Sequence, residues 1–253
     1  MLINDAIIGF KAHENLIFCN KVTICAKFSA SCYFKCTNGD YIMLSAKKYG
    51  CLSFAISVDD PLSVLANLGD VGSSLTLDVS GPVWLPDHVA SISEQNPEGM
   101  NIIEKKLTDF DDLFHEKINS IKGTLIECVQ NEDVESTLSI LNHFIGLGQG
   151  LTPSADDWTF AFLYTLKKTR RADFAKEVSN MLPEIALIST SFASYAYMSS
   201  LLDEDSVEII NSILNAYASR NDSIDSYCDI LTSVGSSSGQ DMLWGIYDAL
   251  SLK

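Results

Sequence analysis

The apolar residues of this 253-residue chain change their spacing once, and that change limits what each half can fold into. From Lys21 to about Val83 the period is two. Val22, Ile24, Ala26 and Phe28 alternate with polar neighbours, which gives an extended strand one apolar face. Asn38-Gly39, within Thr37-Asn38-Gly39-Asp40, tolerates positive φ, and Tyr41-Ile42-Met43-Leu44 then resumes the extended pattern, so a hairpin is predicted. Further short strands are predicted over 52–58 and 74–79, separated by Asp59-Asp60-Pro61 and by the turn from Gly69 to Gly72. Gly81-Pro82 and Asn96-Pro97-Glu98-Gly99 read as the exit from a small antiparallel sheet or barrel.

Beyond about Thr108 the period becomes roughly three and a half. Phe110, Leu113, Phe114, Ile118, Ile121, Leu125 and Ile126 fall at helical spacing, as do Val134, Leu138, Leu141 and Ile145, with Asn131 placed to cap the second run. Later segments over 173–182, 190–201, 206–218 and 223–232 keep that character. The expected fold class is α+β: a β-rich N-terminal domain over residues 1–105, then an α-helical bundle over 106–253.

Charge and cysteine usage narrow the function. Seventeen Lys and Arg against 33 Asp and Glu leave a net charge of −16. A protein that tracks nucleic acid gains affinity by neutralising phosphates with cations, so nucleic acid is not an expected partner. No basic segment with a long apolar run opens the chain, and no apolar run reaches eighteen residues, so no membrane span and a cytoplasmic location are expected. Five of the seven cysteines (Cys19, Cys25, Cys32, Cys36 and Cys51) fall in the β-rich region, without paired C-x-x-C spacing, and read as reduced apolar filler. His13, His88, His115 and His143 are too scattered to share a metal.

Two stretches remain that neither composition nor periodicity explains. Residues 146–158, GLGQGLTPSADDW, place three glycines, a Thr-Pro-Ser run and paired aspartates before an apolar helix. Residues 234–245, VGSSSGQDMLWG, repeat the device, and aligning Ser154 on Ser238 brings Asp157 over Asp241. Capping by Thr152 or Ser154, and by Ser237 or Ser238, accounts for about 1 kcal/mol at each helix start and needs only one residue. Glycines that turn backbone N–H groups toward a ligand, at a helix start whose dipole favours negative charge, account for the rest. Gly148, Gly150, Thr152, Ser154, Ser237, Ser238 and Gly239 are the candidate substrate-binding residues. Asp156, Asp157 and Asp241 are the candidate catalytic residues, acting on ligand N–H groups, or for Asp156 and Asp157 through a divalent cation such as Mg²⁺. No Gly-Lys-Ser/Thr follows, so this is not a Walker loop, and no strand precedes Gly146, so it is not a dinucleotide fingerprint.

GLGQGLTPSADDW resembles the G-x-G-x-G-L-T-P-S-G-D-D signature of the AllH-like family, associated with the oxamate carbamoyltransferase complex of anaerobic allantoin breakdown. VGSSSGQDMLWG resembles the family's second signature, and Ile188-Ser189-Thr190-Ser191 its Ser/Thr-rich middle segment. Ala155 stands where the family pattern has glycine and Gln149 where it has proline. The resemblance implies transfer of a carbamoyl group between phosphate and the amide nitrogen of oxamate, in company with other subunits. Arginine is sparse near the loops, with Arg170 and Arg171 a helix away, so a metal or a partner subunit is the expected source of positive charge. The other reading is a non-catalytic subunit that binds a small acid, or regulates, through the same loops.

Overall fold

The computed structural model describes residues 1–108 and 113–252, with side chains from 120 onward in the second stretch. Phe110, and the side chains of Leu113, Phe114, His115 and Ile118, lie outside the described residues. Two compact units result, Met1–Asp87 with Asp205–Ile209, and His88–Glu204 with Ile210–Lys253.

The first unit holds strands β1 (Leu2–Ile3), β2 (Ile7–Gly9), β3 (Lys21–Lys27), β4 (Cys32–Cys36), β5 (Tyr41–Ala46), β6 (Ala55–Val58), β7 (Ser74–Thr76), β8 (Asp78–Val79) and β9 (Val83–Trp84), with helices α1 (Phe10–Phe18) and α2 (Pro61–Ala66). Seven strands form one sheet in the order β7-β3-β4-β5-β6-β2-β9. This corrects the expected antiparallel sheet or barrel: the sheet is mixed and open. β5 and β6 pair in parallel, Met43 on Ala55 through Ala46 on Val58. That ladder spans only about 13 Å at the usual rise of a strand, so the short 47–54 connection is long enough to carry the chain back. β2 and β9 are also parallel. The 38–39 hairpin forms as expected, with Gly39 at φ 98° and β4 antiparallel to β5. A bulge between Ile24 and Ala26 interrupts the alternation of β3, so Val22 and Ile24 are buried while Phe28 is 42% exposed. Val22, Ile24, Phe34, Ile42, Leu44 and Ile56 centre the core.

Two motifs read as separators are helix starts. Asp60 accepts from Ser63 N–H at 3.2 Å ahead of α2, and Asn96 accepts from Gly99 N–H at 3.0 Å ahead of α3 (Pro97–Lys106). In both, proline takes the first helical position, where its missing N–H costs nothing. The cysteines form no disulfide among the described residues. Burial pushes Cys32, Cys36, Cys51 and Cys228 up to about 12, a range in which a thiol is inert.

The second unit is helical: α3, α4 (Leu113–Gln130), α5 (Val134–Phe144), α6 (Ser154–Leu166), α7 (Ala172–Ser189), α8 (Phe192–Ser200), α9 (Glu208–Ser219, its first two residues in the first unit), α10 (Ile224–Thr232) and α11 (Ser238–Ser251). Asp133, not Asn131, caps α5, accepting from Ser136 N–H at 3.0 Å. Pro183 lies inside α7, which runs on to Ser189 rather than stopping near 182. Every residue of α6 from Ala155 to Leu166 is buried, as its all-round apolar composition predicts. Among the described residues no helix is long and apolar enough to cross a membrane.

Candidate functional site

The two Gly/Ser/Asp stretches meet. Thr152 Oγ1 lies 3.0 Å from Ser238 Oγ. Asp157 senses the charge of Asp241, and a Cβ at Gly245 would press on Ala161 Cβ at 3.2 Å. These pairs advance in the same direction along α6 and α11, so the helices run parallel with their N-termini side by side. The spacing of 84 residues that relates the two sequence motifs also separates Asp157 from Asp241 and Ala161 from Gly245, with Thr152 and Ser238 86 apart. Gly245 permits the approach, since its Cβ would meet the Trp158 carbonyl oxygen and lie 2.9 Å from Phe162 N. Two parallel helix starts present about half a positive charge each, and buried carboxylates beside them are the natural counterweight.

Several backbone donors of these starts are taken up by the chain. Ala155 N–H donates to the Leu147 carbonyl at 3.0 Å, and Asp156 and Asp157 N–H both reach the Pro153 carbonyl, at 2.8 and 3.1 Å. Gly239 N–H donates to Val234 and Asp241 N–H to Ser237. Neither helix has a side-chain cap, the N-cap positions being Pro153 and Ser237. Hydroxyls and carboxyls stand beside these engaged amides as further polar groups. The glycines divide accordingly. A Cβ on Gly146 would meet the Ser189 carbonyl, one on Gly148 would meet Ser154 N, and one on Gly239 would meet the Leu231 carbonyl, so all three permit close packing. Gly150, at φ 86°, faces open space.

Asp156, 2% exposed, works as a clamp. One oxygen accepts from Gly146 N–H at 2.6 Å and the other from the Thr190 hydroxyl. Ser191 Oγ donates to the Leu151 carbonyl, and Ser194 Oγ reaches it at 3.3 Å. The middle Ser/Thr segment thereby pins the glycine loop. Burial raises the Asp156 carboxyl above the usual range, while donation from Ser194, Thr190 and Gly146 pulls it back.

Asp157 is the contrasting case. It is also 2% exposed, and its Oδ2 has no hydrogen-bond partner among the described residues. Burial first, then the charges of Asp241 and Asp156, push its carboxyl well above the ordinary value, against donation from the Ser238 and Thr152 hydroxyls. Asp241 is 2% exposed as well. Tyr197 closes this group from α8, its phenol raised by burial and then by the charge of Asp157. Ser154 is half-buried at the start of α6, while Ser237 is exposed at the rim of α11. Among the described residues no group of three or more His, Cys, Asp or Glu side chains is placed to hold a metal ion.

Sequence reasoning missed Tyr197 and Lys122. Lys122 pairs with Asp248 at 2.8 Å, lies 5.8 Å from the Trp158 ring and 5.0 Å from Trp244, and Trp158 Nε1 donates to the same Asp248 at 2.9 Å. Nothing in local spacing links positions 122, 158 and 248.

Residues 144–250 match the family model described as oxamate carbamoyltransferase subunit AllH. That supports an AllH-like family assignment. The matched stretch contains the glycine loop, the Thr190–Ser194 clamp and the start of α11, so the AllH-like part of the chain holds all three segments that converge. No curated protein and no solved structure matches the chain.

Proposed function

We propose that this chain is a subunit of a carbamoyl-transferring enzyme resembling oxamate carbamoyltransferase, with carbamoyl phosphate and oxamate as substrates and ligand bound where α6 and α11 begin. The observation that carries this reading is the parallel pairing of the two helix starts, which sets Thr152 beside Ser238 and Asp157 near Asp241 within the AllH-like stretch. Transfer forms a bond from the oxamate amide nitrogen to the carbamoyl carbon, breaks the bond from that carbon to phosphate oxygen, and removes one proton from nitrogen. A carboxylate whose affinity for protons is raised by burial is suited to accept that proton, so Asp157 with Asp241 takes the base role. The hydroxyls of Thr152, Ser154, Ser237 and Ser238 hold substrate oxygens, the first two beside turns that depend on Gly148 and Gly150 and the last two where Gly239 lets α11 pack closely. Asp156 acts through the loop it clamps and is a positioning residue. The charge that receives departing phosphate is supplied by a partner subunit or by a divalent cation held with the substrate phosphate, since arginine is sparse near these helix starts.

The test is turnover. The purified chain is assayed alone and mixed with the other subunits of its complex, following phosphate release from carbamoyl phosphate in the presence of oxamate. The mixture is expected to turn over, and Asp157→Asn to lose about 100-fold or more in rate, the scale of a lost general base, without a lowered melting temperature. An assembled mixture that binds oxamate without turnover identifies a binding subunit instead and overturns the catalytic assignment.

A further inference from the structure

At the far end of the same parallel helix pair lies a concavity of about 200 Å³. That is below the roughly 300–1,000 Å³ of pockets that take drug-sized ligands, so it suits a small metabolite. Thr169 and Arg170 just beyond α6, Tyr217 in the last turn of α9, and Leu250 in the last turn of α11 converge on it. The opposite wall is the segment carrying Ile92 and Glu94, tied down where Ile92 N–H donates to the Lys168 carbonyl at 2.6 Å and Asn96 N–H to the Tyr217 hydroxyl at 2.9 Å.

The charges around this space are of both signs. Arg170 is exposed and joined to no carboxylate by an ion pair among the described residues. Among the described residues Glu94 is held by Arg220 alone, 3.4 Å away, with both side chains more than half exposed. An exposed pair of that kind contributes about 0–1 kcal/mol, so Glu94 can turn to a ligand at little cost. Three helix C-termini add about half a negative charge each. A bare anion would meet Arg170 but oppose the helix ends, and a bare cation would meet the helix ends but oppose Arg170. A molecule with both charges close together satisfies each, and Ile92 and the half-buried Leu252, which line the same space, offer apolar surface to the remainder.

We propose that this concavity binds a free α-amino acid with an aliphatic side chain, its carboxylate on Arg170 and its ammonium group toward Glu94 and the helix ends. The site is separate from the paired helix starts and does not depend on carbamoyl transfer. Calorimetry and thermal shift with L-valine and L-leucine test it, beside isovalerate, which lacks the ammonium group, and isobutylamine, which lacks the carboxylate. At least one amino acid is expected to bind about tenfold or more tighter than either truncated compound, as one charge-assisted contact is worth about that much. Arg170→Ala and Glu94→Gln should each weaken binding by a similar factor without shifting the melting temperature of the free protein, because both side chains are exposed. Absence of binding by both amino acids at millimolar concentration, isovalerate binding as tightly as either, or unchanged affinity in Arg170→Ala would overturn the proposal.

Discussion

A carboxyl that is 2% exposed, near a second buried carboxyl, holds its proton to higher pH than the same group in an unfolded chain. For Asp157 the native state therefore binds more protons than the unfolded state as pH rises from the ordinary Asp value to the raised native one. Stability falls across that window and is level above it. Asp157→Asn removes the ionisation, so the melting temperature of the variant, followed from pH 4 to 8, should decline less with pH than that of the parent. A parallel decline in both would remove Asp157 as the source. Asp156 answers differently, because both of its oxygens are occupied. Asp156→Ala removes the acceptor of the Gly146 N–H and of the Thr190 hydroxyl, two half-buried groups, and each lost hydrogen bond to a charged acceptor is worth roughly 1.5–3 kcal/mol at most. Denaturant titration should register a loss of about 2 kcal/mol or more, and a loss below about 0.5 kcal/mol would mean that the clamp holds nothing.

At the scale of elements, α6 and α11 touch through Gly245, and a side chain there has nowhere to go. Gly245→Val would press on the Trp158 carbonyl and on Phe162 N, backbone atoms that cannot rotate aside. Overpacking of this kind costs about 1–3 kcal/mol and more where backbone must move. The variant should melt well below the parent, and activity measured at a temperature where it is still folded should fall too, since the helix starts are set by the same contact. Gly150→Ala is the control for close packing: its Cβ would meet nothing, so its cost is only that of positive φ for alanine. Much of this arrangement was legible in the chain. The 84-residue offset between the two motifs was readable from Ser154 and Ser238, and the burial of α6 from its apolar run. Other parts were not. Parallel pairing of β5 with β6 depends on a connection whose course no periodicity encodes, and the Ile24/Ala26 bulge breaks the alternation that placed Phe28 inward. Asp60-Pro61 and Asn96-Pro97 were visible but ambiguous, since the residues that end a strand also begin a helix. The engagement of the first-turn amides was hidden because it depends on how the 147–153 loop folds back, which the glycines allow without dictating.

For the molecule as a whole, a net charge of −16 sets acids against one another in both units. Few of the described ion pairs are strong counterweights. Lys176–Glu204 at 3.6 Å and Arg220–Glu94 at 3.4 Å are exposed, and such pairs contribute about 0–1 kcal/mol each. The exception in burial is Lys122–Asp248, each side chain 14% exposed. Salt acts on both contributions, weakening repulsion among the excess acids and attraction within the exposed pairs, but the Debye length shrinks from about 30 Å at 0.01 M to about 8 Å at 0.15 M. Repulsion sums over many distant acids, whereas each ion pair is a contact of a few ångström, so screening removes more of the first than of the second. The melting temperature at pH 7 should therefore rise as sodium chloride is added from about 0.01 to 0.15 M, and potassium chloride should act equally, because the effect is ionic strength rather than ion binding. The gain should shrink toward pH 5, where part of the acidic excess is protonated. A melting temperature that falls with salt would mean that attractive pairs outweigh the repulsion, and a gain confined to one cation would point to a bound ion rather than to the field of the whole chain.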